Sequence, residues 1–262
     1  MTTVEQEVLY DVREKVAYVT LNRPERRNAL SQAVVGRMAE VLTEASEDPD
    51  VWAVVLTGAG DKAFCAGGDL KELNEIASEG RRFPVPMTGP GRNLHELVLE
   101  IGKPTIASLN GPALAGGFEL ALACDIRIAA EHAIIGMPEA KRGMGANFAT
   151  VMLPRLVPRS VALSMLYTGE PMQPTEALQW GLVTAVHPAD RLADETEAFV
   201  RSIVANAPLV LRRYKEMVTK GWELSVHAAL RLNVGPNPYL SADREEGIRA
   251  FVEKRAPQWQ GK

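Results

Sequence analysis

A chain of 262 residues, 46% hydrophobic and 24% charged, is long enough to bury a sizeable core without disulfides or a structural metal. Its net charge of −4 speaks against nucleic acid, which favours a basic stripe, and no apolar run reaches the roughly 20 residues of a membrane span. Two cysteines make no disulfide framework and suit a reducing, cytoplasmic setting, while His95, His132, His187 and His227 lack ligand spacing and read as ordinary surface or core histidines, so no metal is expected.

The first residues, MTTVEQEVLYDVREK, lack the basic-then-apolar order of a signal peptide. Residues 16–21 are β-branched and apolar and predict a strand stopped by Asn22-Arg23-Pro24. Leu30, Val34, Met38, Val41, Leu42 and Ala45 recur at spacings of three and four, which predicts a helix ended by Asp48-Pro49-Asp50. Residues 51–57 predict a buried strand, followed by the turn Gly58-Ala59-Gly60-Asp61, the stretch AFCAGGDL and a polar segment, 71–78. Residues 78–92 have no period and many Pro and Gly, and are expected to form a mobile surface loop. A helix is expected over 94–101 and a strand over 105–109, then a short apolar helix over 118–124 opened by Gly116-Gly117, and strands over 125–130 and 133–136. Continuously apolar strands imply a sheet covered on both faces.

Beyond Pro154 no further pair of buried strands is expected. Helices are predicted over 162–167, from Pro174 to a C-terminal Gly181, and over 192–205, 209–220, 225–232 and 244–254, the last with Ile248, Phe251 and Val252 on one side. The fold class is therefore α/β, an α/β core followed by a helical C-terminal third.

Three places could carry chemistry. Cys65 has no base near it in sequence and reads as a small hydrophobe. Gly67-Gly68 matches no phosphate-loop spacing, and Asp69 would repel a phosphate. These glycines, and Gly116-Gly117 at the entry to a helix, are either tight turns or places where exposed N–H groups form an oxyanion hole. Glu119 lies in the apolar helix GGFELALAC, and Glu139 follows the apolar run 134–138. They read as a general acid and base pair, or else as a helix-dipole partner and a solvent-facing turn residue.

Taken in order, AFCAGGDL, LNGPALAGGFELALACDIRIA and AIIGMPEAKRG resemble the crotonase superfamily, most of all the enoyl-CoA hydratases. VTLNRPERRNAL near the start and GIRAFVEKRAPQW near the end extend the resemblance over nearly the whole chain. It implies a spiral of ββα units over 1–190 carrying the site. It also implies a helical region over 191–262 that packs on the core and on a neighbouring subunit, in a homotrimer or a hexamer of paired trimers.

The same resemblance assigns Gly68 and Gly116 to an oxyanion hole holding a thioester oxygen, and makes the Gly68 peptide, not Cys65, the working part of AFCAGGDL. It makes Glu119 and Glu139 the two acids that add water across an enoyl-CoA double bond, Glu139 giving a proton to Cα and Glu119 activating the hydroxyl for Cβ. Arg26, Arg27 and Ala29 resemble a loop on the nucleotide side of CoA; Ala66, Asp69, Leu70 and Lys71 a wall around adenine and pantetheine; Pro138 the residue leading into the second acid; and Phe251 and Lys254 C-terminal residues that reach CoA. No separate cofactor is implied, since CoA is part of the substrate.

Two departures stand out. The run from Gly143 to Thr150 adds Asn147 and Phe148 to what is often a Gly-rich stretch, and Ala115 stands first where the family often has Gly. The competing readings are a double-bond isomerase, a specialised hydratase acting on a substrate such as crotonobetainyl-CoA, and a non-catalytic binder of CoA esters or RNA.

Overall fold

The computed structural model describes residues 3–81 and 91–262, so most of the loop expected over 78–92 lies outside the described residues. The elements run α1 (Val4–Glu7), β1 (Val8–Arg13), β2 (Val16–Leu21), α2 (Gln32–Glu47), β3 (Ala53–Gly58), α3 (Leu70–Ser78), α4 (Leu94–Glu100), β4 (Thr105–Leu109), β5 (Ala113–Leu114), α5 (Gly116–Ala123), β6 (Ile126–Ala130) and β7 (Ile135–Gly136). There follow α6 (Asn147–Leu156), α7 (Arg159–Thr168), α8 (Pro174–Gln179), β8 (Ala185–His187), α9 (Leu192–Val204), α10 (Pro208–Gly221), α11 (Val226–Ala229) and α12 (Ala242–Glu253).

The apolar runs become a six-stranded sheet in the order β1-β2-β3-β4-β6-β8. Only the β1–β2 pair is antiparallel. All five residues of β4 are buried, as a central parallel strand requires. A second, two-stranded parallel sheet pairs β5 with β7. Two strands of the large sheet hand the chain to a short strand of the small one (β4 to β5, β6 to β7), and the segment beyond each short strand carries candidate residues.

Helices fix the ends of these turns. Ser31 Oγ accepts from the Val34 N–H and starts α2, whose buried stripe is Val34, Met38, Val41, Leu42 and Ala45. At its other end the buried Lys103 ammonium donates to the carbonyls of Ala45 at 2.7 Å and Asp48 at 2.5 Å. The buried Arg127 guanidinium does the same for α5, donating to the carbonyls of Ala121, Cys124 and Leu182. Helix α9 packs against β3, β4 and β6, so the first helix of the C-terminal region covers the sheet.

The structure corrects several expectations. β1 was not expected because only Val8 of its six residues is buried, the signature of an edge strand. β8 adds a three-residue edge strand inside a stretch expected to be purely helical. Helix α6 begins at Asn147, within the run 143–150, and continues through Pro154, which sits in its last turn. In α12 the side shared by Ile248, Phe251 and Val252 faces outward, whereas Asp243, Glu246 and Ala250 are buried. The inward face is polar because it holds the chain end. Asp243 accepts from the N–H groups of Gln260 and Gly261, and Glu246 accepts from Arg249, Arg255 and the Gln258 N–H.

Candidate active site

Cys65 is fully buried, and burial pushes its thiol up to about 12. It forms a parallel bridge to Ala113, and its carbonyl accepts from the Leu114 N–H at 3.0 Å. A Cβ on residue 117 would collide with that carbonyl, which explains the glycine there. Cys65 is therefore a packing residue, and its backbone lays AFCAGGDL alongside the entry to α5.

Gly67 has φ +90°, and a Cβ on it would lie 2.7 Å from the Ala115 Cβ and 3.1 Å from the Gly116 nitrogen. The neighbouring backbone is tied down. Ala66 donates to the Arg27 carbonyl, Asp69 donates to the Leu30 carbonyl, and the Gly67 carbonyl accepts from Leu30. Between these bonds the exposed Gly68 N–H has no acceptor among the described residues. The Gly116 N–H, first in α5, has none either, because a helix leaves its first N–H groups without partners. A Cβ on Gly116 would lie 4.0 Å from the Gly68 nitrogen, so the two glycines that carry these unbonded N–H groups are close neighbours. Ala115, between β5 and α5, holds the strained pair φ 54°, ψ −134°.

Glu119 is in the first turn of α5 and buried, yet its carboxylate does not serve its own helix. Oε1 accepts from the Ala149 N–H of α6 at 2.9 Å, and Oε2 lies 4.0 Å from His95 Nε2. Glu139 sits in the 3-10 turn Pro138–Arg142, opened by Pro138. It is buried rather than solvent-facing, and its Oε2 has no hydrogen-bond partner among the described residues. Burial, with a smaller contribution from the nearby Glu119 charge, pushes the Glu139 carboxyl up to about 7.

Most of the other candidates gather around the Gly68 loop. Arg26 and Arg27 are exposed on the turn after β2, and the buried Asn28 pins that turn by donating to the carbonyls of Ala59 and Ala63. Ala29 is buried beneath it and Ala66 is half-buried. Leu70 and Lys71 are exposed on the first turn of α3. The Asp69 carboxylate is already engaged, accepting from the N–H groups of Lys71 and Glu72 and pairing with Arg23 at 3.1 Å. That makes it a helix cap that shapes the wall. Phe251 and Lys254 lie apart, exposed on and just beyond α12. His95, expected to be an ordinary surface or core histidine, instead reaches Glu119 and is stacked on Phe148 with ring centroids 5.3 Å apart. Nothing in its spacing links it to residues more than twenty positions away.

Two unbonded N–H donors can hold a developing oxyanion, and two buried acids beside them can move a proton and a water. A site so built suits acid–base chemistry beside a carbonyl group that gains negative charge. The chain belongs to the enoyl-CoA hydratase/isomerase family, whose profile matches residues 11–262. It is 38% identical to the (E)-benzylidenesuccinyl-CoA hydratase of Thauera aromatica over 97% of this chain and 99% of that one. It is 36% identical to the short-chain-enoyl-CoA hydratase of Clostridium acetobutylicum over 95% of each. The crystal structure of an enoyl-CoA hydratase from Bacillus anthracis superposes with a TM-score of 0.88 at 35% identity, covering 98% of this chain and 100% of that one.

Proposed function

We propose that the enzyme adds water across the 2,3 double bond of a 2-enoyl-CoA thioester, with Glu139 as the acid and Glu119 as the base. In this reading the thioester oxygen sits between the N–H groups of Gly68 and Gly116. Glu119 removes a proton from water as the hydroxyl bonds to Cβ, electrons move onto the thioester oxygen, and Glu139 delivers a proton to the same face of Cα. The observation that carries the reading is the unlike setting of two neighbouring acids. Glu119 has an oxygen held by an N–H donor, whereas Glu139 keeps a bare, buried oxygen and a carboxyl raised to about 7. Environments that push two acids apart in this way suit one as base and one as acid.

Arg26, Arg27 and Lys71, exposed around the Gly68 loop, would meet the CoA phosphates as charge partners. The relatives' names bracket a small acyl group and an aryl-bearing one, so the substrate panel runs from crotonyl-CoA to aryl-substituted enoyl-CoAs. A homotrimer, or a hexamer of paired trimers, is supported by the apolar surface that the C-terminal helices leave uncovered, including Trp222, Leu230, Phe251 and Val252. Phe251 and Lys254 would then reach CoA bound to a neighbouring copy. Two free, buried cysteines support a cytoplasmic location.

The test is loss of the conjugated-enone absorbance of crotonyl-CoA, with Glu119→Gln and Glu139→Gln alongside. Fast loss in the wild type, with each variant down by about a hundredfold or more, is expected. Wild-type turnover retained by Glu119→Gln would overturn the two-acid hydration in favour of a one-acid isomerase.

A further inference from the structure

His95 is the one histidine whose ring reaches the site, and the mechanism above gives it no task. It projects from α4, and only 17% of its side chain is exposed. Its Nε2 lies 3.3 Å from the Gly116 carbonyl oxygen and 4.0 Å from Glu119 Oε2. The Phe148 ring stacks on it from α6, the helix that also supplies the Ala149 N–H to Glu119. The Gly116 carbonyl is an acceptor, so an Nε2-protonated ring donates to it and the other tautomer cannot, and the same N–H edge faces Glu119 beyond hydrogen-bond distance. Burial lowers the pKa of His95 from its usual value, against the opposing charges of Glu119 and, on its own helix, Glu96. A neutral imidazole with its proton on Nε2 is the form that results near neutral pH.

We propose that His95 is a positioning residue of this active site, its Nε2–H donating to the Gly116 carbonyl and its ring edge standing 4.0 Å from the second oxygen of Glu119, while the Ala149 N–H holds the first. A carboxylate gripped at one oxygen can still rotate about its last bond. The His95 ring, tied to the Gly116 carbonyl and standing against that side of the carboxylate, limits the rotation. The base and one oxyanion donor are thereby set at a constant distance, where small misplacements are costly to rate. The Phe148 stack keeps the ring in plane for this contact.

The inference rests on the hydratase reading for its consequence, and two experiments keep the two separable. In the first, nitrogen-15 imidazole NMR of the full chain, wild type and Glu119→Gln, reports tautomer and titration without any turnover. An Nε2–H tautomer whose pKa falls when Glu119 loses its charge supports the contact, and a pKa indifferent to Glu119 overturns it. In the second, His95→Phe and His95→Gln are compared on crotonyl-CoA after thermal melts establish that both fold. His95→Phe is expected to lower kcat about tenfold with KM within a factor of two, and His95→Gln, whose amide N–H can reach the same carbonyl, to recover part of the loss. Unchanged kcat in His95→Phe, or a raised KM alone, overturns the proposal. A wild type that leaves crotonyl-CoA untouched while the NMR coupling persists counts against the hydratase reading and leaves the contact standing.

Discussion

The Ala149 N–H donates to Glu119 Oε1 across 2.9 Å, so a side chain from the start of one helix serves the start of the next. Ala149 lies in the first turn of α6, where N–H groups lack intrahelical partners. One bond thus caps α6 and orients the carboxylate proposed as the base. Glu119→Gln keeps an acceptor for that N–H, and Glu119→Ala does not. Both should lose hydration by about a hundredfold or more. Only Glu119→Ala should also lose about 1 kcal/mol of stability, read as a lower urea midpoint than that of Glu119→Gln.

The raised carboxyl of Glu139 sets the direction of two pH effects. As the acid it must hold its proton, so hydration kcat/KM should fall as pH rises through about 7, a limb that Glu139→Gln abolishes along with most of the rate. For stability, the folded state keeps this proton longer than the unfolded chain. The contribution is therefore fully present below the ordinary value of 4.5 and lost as pH climbs through about 7. Melting of Glu139→Gln against pH should be flatter than wild type across that window.

Gly67 and Ala115 make opposite predictions from one contact. A methyl at position 67 would meet the Ala115 Cβ and crowd the Gly116 nitrogen, as well as straining φ +90°. Gly67→Ala should cost about a hundredfold or more in kcat by displacing an oxyanion donor. Ala115→Gly removes a side chain from a φ of +54° and should stabilise the fold by about 1 kcal/mol, measured by urea denaturation.

The outward apolar face of α12 predicts the state of assembly. Phe251 is 86% exposed and Leu240, just before the helix, 85%. Light scattering should give three or six copies at working concentration, and Phe251→Asp should lower that number. A wild-type monomer would sink the assembly and, with it, any reach of Phe251 and Lys254 to a neighbouring copy.

What could be read in advance follows the physics of each signal. β4 was legible because a central strand is apolar throughout, and the end of α8 because Gly181, at φ +73°, takes a conformation that suits glycine. β1 and β8 were not, since edge strands bury too little to imprint a pattern. The outward turn of α12 was hidden because periodicity says which residues share a face but not where the face points. Glycine pairs and lone acids marked Gly68, Gly116, Glu119 and Glu139 as candidates without deciding between turn and catalyst. The unbonded N–H groups, the Ala149 bond and the His95 contact exist only between distant segments.

The close approach of Cys65 to Gly117, and of Gly67 to the Ala115 Cβ and the Gly116 nitrogen, leaves no room for a side chain on either glycine. The half of the site that would hold the thioester is thereby closed to variation by substitution. The other half, where His95 and Phe148 meet between α4 and α6, is made of side chains and can change one residue at a time. Change in a lineage built this way is confined to side chains, and where α4 meets α6 it would act on the rate, through His95, rather than on the backbone that would hold the thioester.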